Sequence, residues 1–502
     1  MSENSLIVFS LIIFRLFIAF HVFGFYTKGM FYYRKEELEK LRAVYHDDRP
    51  QAIAIYGRRR TGKSELIRES FRREKDLACF YFLCDSDTYL GNLRSFAKEL
   101  AHFLSLEPDS IPTFSSFHQA FLFFQNPLKI RKTIIAIDEF PYLSKKKENS
   151  EVAHEFQKII ESDLSPTKTT LILCGSSIRY MKETTENYSS PLYGRFREIL
   201  QIKPFTYEEV ADLFPHYEPF DRLSVFAATG GIAEYVFFFK DYPTFKDAII
   251  ALFLTPSGRL LEETSAFLNA EFTEPAVYSA ILKRLAGKAQ TMPAISSAVG
   301  IVGDSLYPYV EKLKSLFIVE EYQTAFNEKK RETRYWICDP FFRFYYGFID
   351  PHRSQISLGD PQILFDDIFA PGPLHTALGR TYERAVIRSV LVRLAQKRQI
   401  PFVPETLLPW IGQIKTPKGD IIESEIDLCC YDSKNIIIGE CKAKNEPLGI
   451  EVYQRLVEKI PFVHFGNRKI TILLASFTSF TPEVLKLKDA GVLLIQGSQL
   501  IS

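Results

Sequence analysis

The sequence has only two tryptophans and four methionines, no Cys-x-x-Cys pair, and no surplus of either charge. Sixty-two basic against 61 acidic side chains leave a net charge of +1, so no global field draws the chain to nucleic acid. Any such binding has to come from local patches. The seven cysteines are scattered and odd in number, which argues against a disulfide framework or a zinc ribbon. A reducing, cytoplasmic setting is the expectation. Phenylalanine (44) and tyrosine (25) are plentiful, and we read that as compositional bias without functional content. At 502 residues the chain exceeds one hydrophobic core, so two to four domains are expected.

Long apolar runs are also absent, with one exception at residues 6–26. The run is about long enough to cross a bilayer, yet Arg15 stands in its middle and His21 follows. No basic segment precedes it and no small-residue cleavage site follows, which argues against a secretory signal. Three readings remain: a membrane anchor, which alone would make a membrane a partner; a buried or interfacial helix; or a chain that starts at Met30. We expect the last, because "MFYYRKEELEKL" opens an amphipathic unit of its own.

"AIAIYGRRRTGKSELIRES" is an apolar strand, a glycine-started loop and a helix, with Gly57, Gly62, Lys63 and Ser64 satisfying GxxxxGK[ST]. In that spacing loop N–H groups curl around phosphates, the lysine reaches the β and γ oxygens, and the serine hydroxyl ligates Mg²⁺. ATP and Mg²⁺ are the cofactors expected, with Gly57 to Ser64 as the binding loop, Thr61 included. Arg58, Arg59 and Arg60 read either as phosphate contacts or as a solvated basic tip. "TIIAIDEF" is a second strand, ending in two acids. Asp138 is placed to hold the metal and Glu139 to orient and deprotonate the attacking water. A third strand, "TTLILCGSS", ends in Ser176, a candidate sensor of the γ-phosphate. In "SPLYGRFREI", Arg195 is either an arginine finger or a surface ion pair from its chemistry alone.

"IYGRRRTGKSELI", "IIAIDEFPYL", "LILCGSSIRYM" and "SPLYGRFREILQIKPF" together resemble the archaeal-type ATPase family of AAA-related, STAND-like P-loop proteins. The resemblance implies that Arg195 is a catalytic or sensor arginine and that a helical lid follows the core. The fold class expected is therefore multidomain α/β. Residues 1–29 form the leader, 30–205 the P-loop ATPase core with a parallel sheet, and 206–272 the lid, broken at Gly230 and Gly231. Residues 273–340 follow the order of a winged helix, with a polar, basic hairpin carrying Lys329, Lys330, Arg331 and Arg334 as its wing. DNA contact and protein packing both stay open for it. Residues 341–373 read as a linker, with an aromatic stretch expected to be core.

Residues 374–502 then give a helix with Glu383, a strand near Trp410, and the pair "EIDLCCYDSKNIIIGECK" joined by a turn. Alternate strand residues share a face, so Glu440 and Lys442 lie together with Asp427 alongside. That set, in a helix–strand–strand–helix–strand order, resembles the PD-(D/E)xK site of restriction-endonuclease-like nucleases. The resemblance implies that Asp427 and Glu440 hold a divalent metal (Mg²⁺ or Mn²⁺), that Lys442 positions water, and that Glu383 completes the site. The partners expected are ATP, DNA, and protein partners or a second copy. Hairpin ion pairs in an inactive docking module are the alternative.

Overall fold

The computed structural model describes residues 33–501 except 86–87, 108–110, 145–148, 327–332, 405 and 416–418. The apolar run at 6–26 and the wing residues Lys329, Lys330 and Arg331 lie outside them. Among the described residues no helix is long and apolar enough to cross a membrane. The chain forms two compact units. The first comprises residues up to Ile55, Lys63–Cys174 and Thr184–Leu200, and the second Tyr56–Gly62, Gly175–Glu183 and Gln201–Ser502.

In the first unit, five strands form a sheet in the order β2-β3-β4-β1-β5: β1 Gln51–Tyr56, β2 Ala78–Leu83, β3 Thr133–Asp138, β4 Thr170–Gly175 and β5 Glu198–Gln201. β2, β3 and β4 pair in parallel. Every residue of β3 and β4 is buried, as near-continuous apolar runs dictate for strands covered on both faces. Helices Tyr89–Phe103 and Phe117–Ile130 supply the cover. Phe96 sits 5.1 Å from Phe117 and 5.4 Å from Phe82, ring centroid to centroid, so part of the phenylalanine surplus is core. β4 lies between β1 and β3, which places the loop after β1 and the acids ending β3 at strand ends flanking β4.

The second unit begins with helices Tyr207–Leu213, Pro219–Thr229, Ala233–Phe239, Phe245–Phe253 and Glu263–Glu271. Gly230 and Gly231 break this run at φ of +60° and +70°. A Cβ on Gly231 would stand 2.1 Å from the Phe205 carbonyl oxygen, so only glycine closes the turn. Residues 341–373, read as a linker with an aromatic stretch expected to be core, are largely helical. The reason is their aromatic content: Phe341 packs 4.8 Å from Tyr235, Phe342 5.4 Å from Phe267 and Phe344 5.8 Å from Phe253. Burying that surface outweighs the freedom of a linker.

Helix Pro275–Leu285, strand β6 (Gln290–Thr291) and helices Met292–Val299 and Tyr307–Ser315 precede a hairpin of β7 (Val319–Tyr322) and β8 (Arg334–Ile337). The three strands form an antiparallel sheet in the order β6-β8-β7.

The C-terminal part is a six-stranded mixed sheet, order β14-β13-β12-β11-β10-β9, built from β9 Thr406–Lys415, β10 Ile421–Tyr431, β11 Asn435–Lys442, β12 Lys469–Ser476, β13 Leu493–Gln496 and β14 Gln499–Leu500. β9, β10 and β11 are antiparallel neighbours, whereas β11, β12 and β13 run parallel. Helix Ile450–Lys459 covers one face over a core of Trp410, Ile426, Cys429, Ile438 and Leu456. The pairing of β10 with β9 shifts between Ile426 and Cys429. This irregularity lets both enter one core although they are three apart, and it turns Asp427 away from that core. The helix preceding the sheet runs from Pro371–Thr381 through a π turn at Tyr382–Ile387 into Arg388–Gln396, and Glu383 sits in the π turn.

Candidate functional sites

Lys63 and Ser64 open helix Lys63–Arg73, and Lys63 is buried although charged. Ser64 Oγ donates to Asp138 Oδ2 at 2.6 Å, and the Tyr81 hydroxyl donates to the same oxygen at 2.6 Å. The Glu139 backbone N–H donates to Asp138 Oδ1 at 2.8 Å. Asp138 is 1% exposed, and burial alone would favour its neutral form. Hydrogen bonds from Cys174, Ser64 and Tyr81, with the charge of Lys63, reverse this and hold the carboxyl below its usual range. Asp138 is thus an anion beside a hydroxyl, the donor pair that a small hard cation takes. Glu139 has φ of +52°, a conformation uncommon outside glycine and frequent at functional sites. Tyr81 and Cys174 escaped the sequence reading, because no motif marks them.

The loop glycines follow the expected pattern. Gly62 has φ of +90°, and a Cβ on Gly57 would meet the Ile202 carbonyl oxygen at 2.3 Å. Thr61 Oγ1 is buried and donates to the Arg58 carbonyl at 2.7 Å. All three arginines of the loop are ion-paired with acidic side chains. Arg58 is buried, ion-paired to Asp339, and stacked 5.1 Å and 5.0 Å from the ring centres of Phe267 and Phe342. Arg59 pairs with Glu271 at 3.3 Å, and Arg60 with Glu263 at 3.0 Å and Glu234 at 3.3 Å. Ser176 is buried at the end of β4. Arg195 forms an ion pair with Glu161, and both are more than a third exposed.

In the C-terminal sheet, Asp427 Oδ2 accepts from the Cys441 backbone N–H at 2.8 Å and from Lys442 Nζ at 3.1 Å. Lys442 also donates to Glu440 Oε2 at 2.8 Å, so one ammonium joins both carboxylates. The other oxygen of Glu440 accepts from Lys459 Nζ at 2.6 Å, and Lys459 reaches on to the Glu425 carbonyl at 2.7 Å. Burial and the neighbouring Glu440 charge push Asp427 above its usual range. Burial raises Glu383 too, against the pull of Arg384 and with Asp427 adding to it. Glu440, buried as well, is held low by Lys442 and Lys459. Glu383, Asp427 and Lys442 line one cleft of about 640 Å³ with His375, Arg380 and Lys444. Among the described residues no three His, Cys, Asp or Glu groups stand in metal-holding geometry. Glu383 Oε1 is buried without a hydrogen-bond partner, although Arg384 Nε lies 2.7 Å away as an ion pair. Arg384 thus supplies the cation at this oxygen, and Asp427 and Glu440, bridged by Lys442, are the donors a divalent ion would take. Lys459 was missed because it lies 17 residues beyond the ExK triplet, and only its helix brings it back. Glu425 lies apart, bonded to Arg384 at 3.1 Å and Tyr322 at 3.2 Å.

Two family matches cover separate parts of the chain. Residues 31–238 match an ATPase domain predominantly from Archaea, and residues 345–457 match a domain of archaeal and bacterial proteins of unknown function. An uncharacterized protein of Methanocaldococcus jannaschii is 32% identical over 375 residues, covering 74% of this chain and 80% of that protein. The chain belongs to this family of archaeal-type P-loop ATPases with a C-terminal domain of unknown function. Among solved structures it is similar to the Aeropyrum pernix ORC2 protein at 14% identity, covering 70% of this chain and 96% of that one, TM-score 0.41. A STAND protein with a tetratricopeptide repeat sensor from Pyrococcus horikoshii is also similar, at 14% identity over 75% of this chain and 52% of that one, TM-score 0.30.

Proposed function

We propose that the chain binds and hydrolyses ATP with Mg²⁺ and uses that cycle to switch a nuclease-like C-terminal effector acting on DNA. The observation that carries the first half is the 2.6 Å bond between Ser64 and Asp138, which sets hydroxyl and carboxylate side by side at the start of the helix after GxxxxGK[ST]. When bound, Mg²⁺ supplies positive charge to the β and γ oxygens. Ser64 and Asp138 would hold it. Loop N–H groups and Lys63 bind phosphate, and Glu139 orients the attacking water and takes its proton. Ser176 senses the γ-phosphate, and Arg195 leaves its surface pair with Glu161 to offset charge in the transition state.

The second half is supported by Lys442, whose ammonium joins Asp427 and Glu440 across two strands. In a PD-(D/E)xK reading the two carboxylates hold a divalent ion, Lys442 orients the attacking water, and Glu383 completes the polar wall. A divalent ion there supplies Lewis acidity to the scissile phosphate. The helix–strand–helix–helix–hairpin order of residues 275–337 fits a winged helix, and it packs with this domain: the Ala325 backbone N–H donates to the Pro409 carbonyl at 2.7 Å and Phe326 stacks on Tyr431 at 4.7 Å. The second reading is an inactive docking module, favoured by the double lysine neutralisation of Glu440. ATP turnover and DNA cleavage measured on the full chain, with Mg²⁺ or Mn²⁺, separate the two.

A further inference from the structure

Beside the Asp427–Lys442 cleft lies a second recess of about 240 Å³, lined in part by Lys288, Arg334, Arg343, Arg380, Tyr322 and Trp336. The two share Arg380 and Glu383, so one wall passes from one to the other. Its charge is unusual. Arg384 is neutralised by Glu383 at 2.7 Å and Glu425 at 3.1 Å, but Arg343 forms no ion pair with a carboxylate among the described residues. One of its terminal nitrogens, Nη2, donates to Thr381 Oγ1 at 3.2 Å, and the other, Nη1, is buried with no hydrogen-bond partner. Burial, with the charges of Arg380 and Arg384, pulls its pKa down to about 10, so it remains a cation at neutral pH. Nη1 lies too deep for a ligand in the recess to reach, and the guanidinium is 5.3 Å from the Trp336 ring centre, so Arg343 contributes an uncompensated positive charge behind the wall. Lys288, Arg334 and Arg380 are exposed at the same recess and add charge that tracks a backbone.

We propose that this recess binds the phosphate backbone of single-stranded DNA and feeds the strand to the Asp427–Lys442 cleft. The anion is taken as a phosphodiester because the recess shares Arg380 and Glu383 with the cleft assigned above to phosphodiester cleavage, and the inference rests on that reading. The strand is unpaired because a duplex, whose major groove alone is about 12 Å wide, does not enter a recess of this size. Arg343 adds positive charge from behind the wall, Arg380 stands where the strand passes between the chambers, and Lys288 and Arg334 hold the approach. Tyr322 and Trp336 give an apolar wall for a sugar or base.

The test is anisotropy of a fluorescein-labelled 20-nucleotide single strand on the full chain in EDTA, which prevents cutting. The comparison is a duplex of the same sequence. The expected results are at least tenfold preference for the single strand, at least tenfold loss in Arg380→Gln with Lys288→Ala, and a salt slope shallower by about one per phosphate contact removed. ATP hydrolysis by the variant checks that it is folded. Trp336 lines the recess whereas Trp410 is buried in the sheet core, so the strand should quench a signal that Trp336→Phe removes. Equal binding of duplex, undiminished binding by the double variant, or equal quenching by free mononucleotide overturns the proposal. Binding as predicted without cleavage in Mn²⁺ leaves it standing and removes the nuclease reading. Cleavage unaffected by the double variant does the reverse.

Discussion

Lys442 Nζ stands 3.1 Å from Asp427 and 2.8 Å from Glu440, bridging two strands at a position where an all-apolar sheet would carry nothing polar. Glu440 is buried, Asp427 half-buried and the lysine only partly covered, so the cluster is costly to maintain unless it serves a function. Lys459 completes it from the following helix.

Lys459 gives the first prediction. Lys459→Met removes one donor from buried Glu440 and should cost about 1–3 kcal/mol, the penalty of an unmet buried acceptor. Adding Glu440→Gln should recover part of that loss, since the two side chains act as a pair. Urea unfolding of the two single variants and the double variant measures the coupling, and simple additivity would dissociate Lys459 from Glu440.

A second expectation concerns hydrolysis. Lys63→Ala should abolish ATP binding in calorimetry. Glu139→Gln should bind ATP normally while its kcat falls by about 10²–10⁴, the usual contribution of a general base. Turnover at the normal rate in Glu139→Gln would remove the base assignment.

Arg195 is the third. If it leaves Glu161 for the γ-phosphate, Arg195→Ala should lower kcat by about 10³ or more with little change in ATP affinity. Glu161→Ala, which breaks only the surface pair, should leave kcat close to wild type. Matching effects from the two variants would make the arginine structural.

The helix break supplies a fourth. Gly231 is left-handed and pressed on the Phe205 carbonyl. Gly231→Ala should lose at least about 1–2 kcal/mol from the backbone conformation alone, and a thermal midpoint equal to wild type would contradict the packing described.

Those parts of the fold that follow local rules were legible in the sequence. The strand–loop–helix around Lys63 and the acids ending β3 are fixed by spacing, because the chemistry acts over a few residues. The pair Asp427–Lys442 was legible through strand alternation. What escaped depends on partners far along the chain. Arg58 finds Asp339 281 residues away and Arg60 reaches Glu234 174 residues away, and no local pattern distinguishes such an arginine from a phosphate ligand. The aromatic stretch within 341–373 read as core, but its partners on helices about a hundred residues earlier carry no local mark. The π turn that places Glu383 has no sequence mark at all.

We propose that the chain couples an ATP site at Ser64 and Asp138 to a metal-dependent cleavage site at Asp427, Glu440 and Lys442. Cleavage of end-labelled DNA by the full chain, with Mn²⁺ or Mg²⁺ and with or without ATP, tests it most directly. The expected result is cleavage that needs the metal, changes with ATP in wild type but not in Lys63→Ala, and disappears in Asp427→Ala while ATP hydrolysis persists. Cleavage undiminished in Asp427→Ala, or none with either metal alongside normal ATP turnover, would contradict it.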